Sequence, residues 1–363
     1  MNFDFSDDIK AMTAEVRRAL ERSCNMAEVR RCLEDGMFHP GGLISKPAWG
    51  VLAEMGVTGA RIPEQWGGSG LGMLELAACA EEIGRVCAPV PSLPSVYLAT
   101  EALLHSGTDS QRERWLPQLA RGEAVGSMCF APIDADGERL TARYAAVPAG
   151  AVADFLVVMS ADDCAVLIDL HQDGVSRHPL RVLDPGSPMA ELTLNAVRSE
   201  PMNCPAGSYQ GIRNRAAVLL AFEQLGGASR ALDIARDYTL QRKTFGRTVA
   251  SYQAVKHLMA DIWAKNEIAR GHAYHGAWAS ETNDPALPLA AACARVSASE
   301  AFEFAAREAL QLHGGIGFTW EADIHPFYKR SRSTALSLGS SREWKRRIAQ
   351  LLHRQHMTIA HEL

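Results

Sequence analysis

Two segments in the C-terminal part of the chain combine residue types and spacing that could bind a ligand. In "QLHGGIGFTWE", Gln311 precedes the glycine pair Gly314 and Gly315, and a helix-like run ends there. This stretch is compatible with a phosphate cradle, an oxyanion hole or a glycine-rich helix cap. In "RKTFGR", Arg242 to Arg247, basic residues and a glycine could simply end a helix and complement its dipole. The two segments lie about 60 residues apart, and their combination points to a site.

Three simpler functional interpretations fail on their most specific requirement. An esterase oxyanion loop needs a GxSxG nucleophile elbow, and that motif is absent from the sequence. The glycine-rich "GGSGLGM", Gly67 to Met73, does not match GxGxxG and lies between helical patterns instead of after a strand. The pair His353 and His356 supplies only two ligands, so no metal site is predicted.

Composition narrows the class of protein. Of 363 residues, 47% are hydrophobic and 22% are charged, which is typical of a globular protein. The net charge of −5 disfavours a nucleic-acid groove, and no apolar run is long enough to span a membrane. The N-terminal "MNFDFSDDIKAM" lacks a signal-peptide pattern, and the eight scattered cysteines form no CxxC pair. We therefore expect reduced, mostly buried thiols in a cytoplasmic protein that binds neither nucleic acid nor membrane.

Three blocks follow one another along the chain. Residues 1–123 show helical periodicity that begins after a candidate cap at Ser6, and they include the connector "RIPEQWGGSGLG". Residues 124–207 contain runs such as "DFLVVMSA", "CAVLIDLHQ" and "AELTLNAVRS", which predict strands. Residues 208–363 return to long helical patterns, one of them Ala-rich and suited to close packing. Helices, then strands, then helices predict an α+β fold.

These motifs resemble those of the acyl-CoA dehydrogenase family over essentially the whole chain. "GARIPEQWGGSGLGMLELAACAEEIG" resembles the N-terminal signature, and "RDYTLQRKTFGRTVASYQAVKHLMADI" and "ALQLHGGIGFTWEADIHPFYKRSR" resemble the two C-terminal signatures. The resemblance implies an N-terminal helical domain (1–123), a middle β-domain (124–207) and a C-terminal four-helix bundle (208–363). It also implies FAD as cofactor, an acyl-CoA thioester as substrate, α,β-desaturation as the reaction and an electron-transferring flavoprotein as electron acceptor.

The resemblance also implies which residues contact the cofactor. In this family FAD lies extended across a subunit interface, and the neighbouring subunit's bundle meets its pyrophosphate and adenine end. An arginine offers planar charged donors to a phosphate, and glycines let the backbone approach where a Cβ would collide. A phenylalanine supplies an apolar wall, and glutamines supply hydrogen bonds. The positions of this chain that match those contacts are Arg242, Phe245, Gln253, Gln311, Gly314 and Gly315.

The catalytic base of the family is missing from both positions that could carry it. The reaction needs a carboxylate that takes a proton from the acyl α-carbon. Most members place a glutamate before the glycine that follows the "RSRS"-type helix, and here Leu338 precedes Gly339. Other members place it early in the first bundle helix, where this chain has Ala216. Glu223 is the nearest carboxylate on that helix, about two turns further on, and we expect it to be structural.

The β-domain departs from the family pattern as well. Typical members carry a Thr/Ser-Glu-Pro-Gly-Ser-Asp stretch and a Trp-Ile-Thr-Asn stretch beside the flavin ring. The corresponding regions here read "MCFAPIDADGE" and "AAVPAGAVADF", without that tryptophan and those hydroxyls. The half-site for this chain's own flavin ring is thus degraded, whereas the half that reaches a neighbour's cofactor is retained.

This asymmetry predicts the partner subunit of a heteromeric acyl-CoA dehydrogenase. In an α2β2 assembly, a second acyl-CoA dehydrogenase chain would supply the base and the ring contacts. The sequence resembles subunits of the two-gene enzymes of bacterial steroid side-chain degradation, which implies a steroid side-chain CoA thioester as substrate. Two alternatives remain open. One is a self-sufficient homotetramer that uses Glu223 as its base, and the other is a scaffold that binds acyl-CoA or flavin without a redox role.

Overall fold

Helices form the N-terminal part of the chain in the computed structural model, which describes residues 4–38, 44–133, 135–136 and 139–362. The predicted cap is confirmed, because Ile9 N–H donates to Ser6 Oγ at 3.3 Å. A capping box of Thr108 and Gln111, which the sequence analysis missed, begins the sixth helix. The bounds are α1 Asp7–Ser23, α2 Met26–Phe38, α3 Lys46–Glu54, α4 Met73–Arg85, α5 Thr100–Ser106 and α6 Asp109–Ala120, with a π-helical segment at Ser92–Ala99.

Short strands follow and pair into two four-stranded sheets. One sheet has the order β1-β4-β5-β8, with β1 and β4 parallel and the other pairs antiparallel; the second has the order β2-β3-β7-β6 and is antiparallel throughout. The bounds are β1 Gly126–Phe130, β2 Ala135–Asp136, β3 Arg139–Pro148, β4 Phe155–Met159, β5 Ala165–Asp169, β6 Val175–Pro179, β7 Met189–Arg198 and β8 Glu200–Pro201.

Residues from both sheets share one hydrophobic core. Leu156 and Ile168 of the first sheet lie in the same buried cluster as Leu140 and Leu192 of the second. Side chains alternate between buried and half-buried along most of β7, as one face of a packed sheet requires. Every residue of β4 is buried, which fits its continuous apolar run. The strands predicted from "DFLVVMSA", "CAVLIDLHQ" and "AELTLNAVRS" are confirmed as β4, β5 and β7.

Long helices make up the rest of the chain. They are α7 Ser208–Gln241, α8 Gln253–Glu281, α9 Leu287–Leu312, α10 Ile324–Leu336 and α11 Ser341–Glu362, with a two-residue hairpin of β9 Lys243–Thr244 and β10 Arg247–Thr248 after α7. Helix α9 packs against α8, α10 and α11. Most of its buried positions are alanines, so neighbouring backbones approach closely, as the Ala-rich pattern predicted. The order of helices, strands and helices confirms the α+β class.

By its internal contacts the chain divides into two compact units. The helical unit comprises the residues up to Thr13, Ala77–Cys87 and the residues from Ala217 onward. The mixed unit comprises Ala14–Leu76 and Ala88–Ala216 and contains both sheets. The three-domain division at residues 123 and 207 stays a prediction.

Within the helical unit, α4 and α7 cross at two glycines. A Cβ on Gly84 would lie 1.8 Å from the carbonyl oxygen of Glu223, and a Cβ on Gly226 would lie 1.8 Å from the carbonyl oxygen of Glu81. Both distances are far inside van der Waals contact, so only glycine allows this approach. Close by, Arg270 forms a bidentate ion pair with Glu81 at 2.7 and 2.9 Å. The crossing fixes the segment of α7 that carries Glu223.

We expect Gly226→Ala to destabilise the protein by about 2–3 kcal/mol, because the added Cβ forces the two helix backbones apart. Gly271→Ala is the matched control in the same unit, since a Cβ there would meet nothing within 4 Å. The control should leave stability unchanged or raise it by up to about 1 kcal/mol, because alanine is the better helix former. Urea unfolding monitored by circular dichroism measures both. Equal midpoints for Gly226→Ala and wild type would contradict this account of the crossing.

Candidate functional site

The segment "RKTFGR" forms an exposed β-hairpin at the end of α7. Phe245 and Gly246 occupy its turn with φ values of 51° and 80°. Positive φ at both central residues defines a type I′ turn, which matches the twist of the flanking strands. Phe245 is 98% exposed at the tip. A phenylalanine ring in solvent gains almost no packing from its own chain, so this ring is available for contact with another molecule.

Contacts around the hairpin hold it in shape. The guanidinium of Arg247 lies 3.7 Å from the ring centroid of Tyr252 and lowers the pKa of that phenol. The Tyr252 hydroxyl donates to the carbonyl of Thr244 at 3.1 Å. Gln253 is exposed at the first position of α8, where its amide N–H donates to His257 Nε2 at 2.8 Å. Arg242 is exposed just before β9, so its guanidinium is available to a ligand.

The glycine-rich segment forms a short 3-10 turn, Gly314–Phe318, after α9. Gly314 has a φ of 63°, which favours glycine, whereas Gly315 does not have a positive φ. A Cβ at either position would meet nothing within 4 Å, whereas a Cβ on Gly317 would lie 2.5 Å from the Leu310 carbonyl oxygen. The chain's own packing therefore requires glycine at 317 but leaves open space at 315. That open space, next to the exposed Gln311, fits the close approach of a group from outside the chain.

An aromatic stack joins the two segments. Tyr238, in the last turn of α7, stacks on His313, which directly follows α9, with ring centroids 4.3 Å apart and planes at 22°. His313 is buried, and its Nδ1–H donates to the carbonyl of Ala309 at 2.7 Å. The hairpin and the 3-10 turn therefore lie at one end of the helical unit. Its six exposed candidate residues are Arg242, Phe245, Gln253, Gln311, Gly314 and Gly315.

Leu338, the residue at the position where most family members are expected to carry the base, lies against an apolar cluster. Leu338 packs against the buried Ala217, Ala292 and Trp344. Its φ is 61°, a left-handed conformation that costs about 1–3 kcal/mol for a residue other than glycine. Trp344 Nε1–H donates to the Leu338 carbonyl at 3.0 Å and holds this conformation in place. Ala216, at the alternative base position, is fully buried. Neither position offers a group that accepts a proton.

A buried arginine holds the helix end that precedes Leu338. Arg295, in α9, is 2% exposed, and its Nη2 donates to the carbonyls of Thr334 and Ser337 at 2.6 Å each. Its Nη1 donates to Gln224 Oε1 at 3.1 Å. Cations are favoured at the carboxyl end of a helix, where the last carbonyls lack intrahelical donors. Arg295 therefore caps α10 and directs the chain into Leu338.

Glu223 belongs to the scaffold of the helical unit. Its Oε1 lies 3.7 Å from Arg330 Nη1, and both residues are 5% exposed. The neighbouring Gln224 joins Arg295 and donates to Thr334 Oγ1 at 3.2 Å. A buried carboxylate beside a buried guanidinium is usually a paired part of the scaffold. This placement agrees with the structural role expected for Glu223.

Two segments of the mixed unit were expected to depart from the family pattern. "MCFAPIDADGE" begins on β1, and "AAVPAGAVADF" begins on β3. Strand β1 ends at Phe130, and the following Ala131 and Ile133 carry no hydroxyl; residues 134, 137 and 138 of the segment lie outside the described residues. The second segment crosses a register shift between β3 and β7, which leaves Ala145 and Ala146 exposed. At Ala131, Ile133, Ala145 and Ala146 the side chains are therefore apolar and carry no hydroxyl.

Sequence reasoning missed Tyr238, Arg295 and Trp344 as organising residues. Arg295 stands out in the Ala-rich run "AAACARVSASEAF", where a charge on a buried helix signals a specific partner. Tyr238 and His313 lie inside the quoted signatures, but nothing local indicates that they meet.

Among the residues that the structure describes, no group of three or more His, Cys, Asp or Glu side chains could hold a metal ion. None of the described helices combines the length and apolar character needed to cross a bilayer.

Comparison with known proteins identifies the family. The family model "Acyl-CoA dehydrogenase, N-terminal domain" matches residues 6–123, and "Acyl-CoA dehydrogenase, C-terminal domain" matches residues 210–352. Acyl-CoA dehydrogenase IpdE2 of Mycobacterium tuberculosis is 35% identical over 301 residues, which cover 83% of this chain and 85% of that protein.

Solved structures agree with this assignment. A variant of the Tcur3481-Tcur3483 steroid ACAD is similar with a TM-score of 0.84 and 27% identity, covering 97% of this chain and 99% of that chain. A chain of the ChsE4-ChsE5 complex from Mycobacterium tuberculosis gives a TM-score of 0.87 at 23% identity, covering 97% and 99% respectively, which shows the shared fold. Together with the matches above, these similarities confirm the predicted family and fold: the chain belongs to the acyl-CoA dehydrogenases, FAD-dependent oxidoreductases that act on the CH–CH bond of acyl-CoA thioesters.

Proposed function

We propose that this chain is the subunit without a catalytic base in a heteromeric, FAD-dependent acyl-CoA dehydrogenase. Its helical unit completes a flavin site whose base and ring contacts belong to a second acyl-CoA dehydrogenase subunit. The observation that carries this proposal is the contrast between Leu338, which packs into an apolar cluster, and the exposed Arg242 and Gln311. The chain keeps the cofactor contacts that only a neighbour can use and lacks the proton acceptor that its own site would need.

The candidate residues fit a dinucleotide. The Arg242 guanidinium presents planar charged donors to a pyrophosphate, and the open space at Gly315 admits its oxygens close to the backbone. Gln253 and Gln311 supply hydrogen bonds, and the Phe245 ring supplies an apolar wall. When bound, FAD accepts the hydride that leaves the β-carbon of the acyl group. The residues of this chain bind and orient the cofactor.

This chain offers no group at the expected positions that could take the proton from the acyl α-carbon. Removing it from the acyl α-carbon needs a carboxylate within hydrogen-bond reach. Leu338 and Ala216 cannot accept it, and Glu223 is paired with Arg330. The proposal therefore assigns the base to the partner subunit.

The relatives support a proposal for the assembly and the substrate. Two of the similar structures are named for pairs of chains, and one of these is named a steroid ACAD. They support an α2β2 assembly and a steroid side-chain CoA thioester as substrate. We propose an electron-transferring flavoprotein as the acceptor of the electrons and the cytoplasm as the place of action.

Purification of the chain alone and from its native cells tests the assembly. We expect the chain expressed alone to hold little flavin and to show no turnover with acyl-CoA. Affinity-tagged chain from native cells should recover an acyl-CoA dehydrogenase subunit that carries a carboxylate at the position matching Leu338 or Ala216, together with flavin and activity. A flavin-replete homo-oligomer of this chain with full dehydrogenase turnover would refute the heteromer. Absence of flavin from every complex would favour the scaffold alternative.

Substitutions at the helical unit's exposed end test the cofactor contacts. In the complex, Arg242→Ala and Gln311→Ala together should raise the FAD dissociation constant at least about tenfold, because charge-assisted hydrogen bonds are each worth about 1.5–3 kcal/mol. Gly315→Val should also release flavin, yet leave the unfolding midpoint unchanged, since the space around a Cβ there is open. Arg121→Ala, at an exposed arginine of the mixed unit, is the control. Stoichiometric flavin in the purified double variant would rule out these contacts.

Glu223→Gln separates the proposal from a self-sufficient enzyme. We expect it to cost about 3–5 kcal/mol of stability, because Arg330 stays charged and buried beside a neutral amide. Activity per folded complex should persist. Glu300→Gln is the matched control: its partner Lys345 lies 2.6 Å away, and both side chains are at least half exposed, so the loss should be below about 1 kcal/mol. Loss of all turnover in a fully stable Glu223→Gln variant would instead identify Glu223 as the base.

A further inference from the structure

We propose that the stacked pair Tyr238–His313 is the positioning contact that holds the two cofactor-binding segments in a single geometry. The inference rests on the proposed function, because it concerns how the chain presents Arg242 and Gln311 to a flavin nucleotide. Tyr238 and His313 are positioning residues, since neither is among the residues expected to touch the cofactor. Their role is to set where the touching residues lie.

Tyr238 controls the hairpin. It lies one helical turn before Arg242, whose N–H donates to the Tyr238 carbonyl at 2.8 Å. Val249 N–H in turn donates to the Arg242 carbonyl at 2.8 Å and closes the base of the hairpin. A displacement of Tyr238 is therefore transmitted through two backbone hydrogen bonds to the guanidinium-bearing residue and to both strands.

His313 controls the glycine-rich turn. It lies between Gln311 and Gly314 and is 8% exposed, whereas both of these neighbours are exposed. Its Nδ1–H bond to the carbonyl of Ala309 fixes the plane of the ring against the last turn of α9. A Cβ on Gly314 or Gly315 would touch nothing, so the turn gains no support from packing at those two positions. The His313 ring is the buried anchor from which the turn extends.

The stack of Tyr238 on His313 connects the hairpin to the glycine-rich turn. A centroid separation of 4.3 Å and an interplanar angle of 22° describe a close, near-parallel stack, slightly shorter than the roughly 4.5 Å at which offset aromatic pairs usually begin. The contact joins the carboxyl end of α7 to the carboxyl end of α9, which are the two helix ends that carry the candidate residues. A pyrophosphate gripped from two separate segments requires a fixed distance between them, and the stack supplies it.

The test measures FAD binding to the complex of this chain with its base-bearing subunit. After removal of flavin, FAD is titrated back and its fluorescence is followed. His313→Ala should raise the dissociation constant at least about tenfold, whereas His313→Phe, which keeps an aromatic ring in the stack, should stay within about threefold. Tyr238→Leu should weaken binding as His313→Ala does, and Tyr238→Phe should not. His275→Ala is the matched control, because it removes a histidine stacked on Trp278 within a single helix, with centroids 6.2 Å apart.

A second readout separates positioning from general stability. Hydrogen exchange of the backbone amides from Lys243 to Val249 should be faster in His313→Ala than in wild type and unchanged in His275→Ala. Equal FAD affinity in wild type and in both His313→Ala and Tyr238→Leu would overturn the inference and leave the proposed function intact. An equal loss of affinity in His313→Phe and His313→Ala would also overturn it. A wild-type complex that binds no FAD would overturn the proposed function, and the inference with it.

Discussion

The end of helix α10 is held by one buried guanidinium, and this contact sets the course of the loop that carries Leu338. The Nη2 group of Arg295 donates to the carbonyls of Thr334, Ala335 and Ser337, and its Nη1 group donates to Gln224. A buried charge without such acceptors would cost several kcal/mol, so the carbonyls and the guanidinium each need the other. These hydrogen bonds hold the helix end in place, and the following residue Leu338 packs against the cluster around Trp344.

The helical unit contains two regions that differ in the burial of their side chains. Around Leu338 and Glu223, side chains are buried and their partners are close, which is the signature of a scaffold. Around Phe245 and Gly315, side chains are exposed and neighbouring space is open. A single chain does not benefit from an aromatic residue in solvent or from open space beside a glycine. Both features are useful once another molecule covers them.

Much of this organisation could be predicted from the sequence, since periodicity and signatures are local. The strands β4, β5 and β7 follow from their apolar runs, and the long helices follow from their 3.6-residue pattern. The identities of Leu338 and Ala216, set against the family pattern, led to the prediction that this chain lacks its own proton acceptor. The stack of Tyr238 on His313 and the cap by Arg295 could not be predicted, because each joins residues far apart in the sequence. The left-handed backbone of Leu338 could not be predicted from the sequence either, because leucine seldom adopts this conformation.

That left-handed backbone bears on how such a subunit can arise. A positive φ costs a leucine and a glutamate about equally, since the penalty comes from the Cβ that both share. Exchange of one for the other therefore leaves the backbone cost of the loop nearly unchanged, and the difference lies in the side chain: its apolar contacts with the Trp344 cluster and its ability to accept a proton. After a gene duplication, a single replacement at this position could remove the proton acceptor from one copy without changing its fold. Division of labour between two sister chains would then begin without any redesign of the fold.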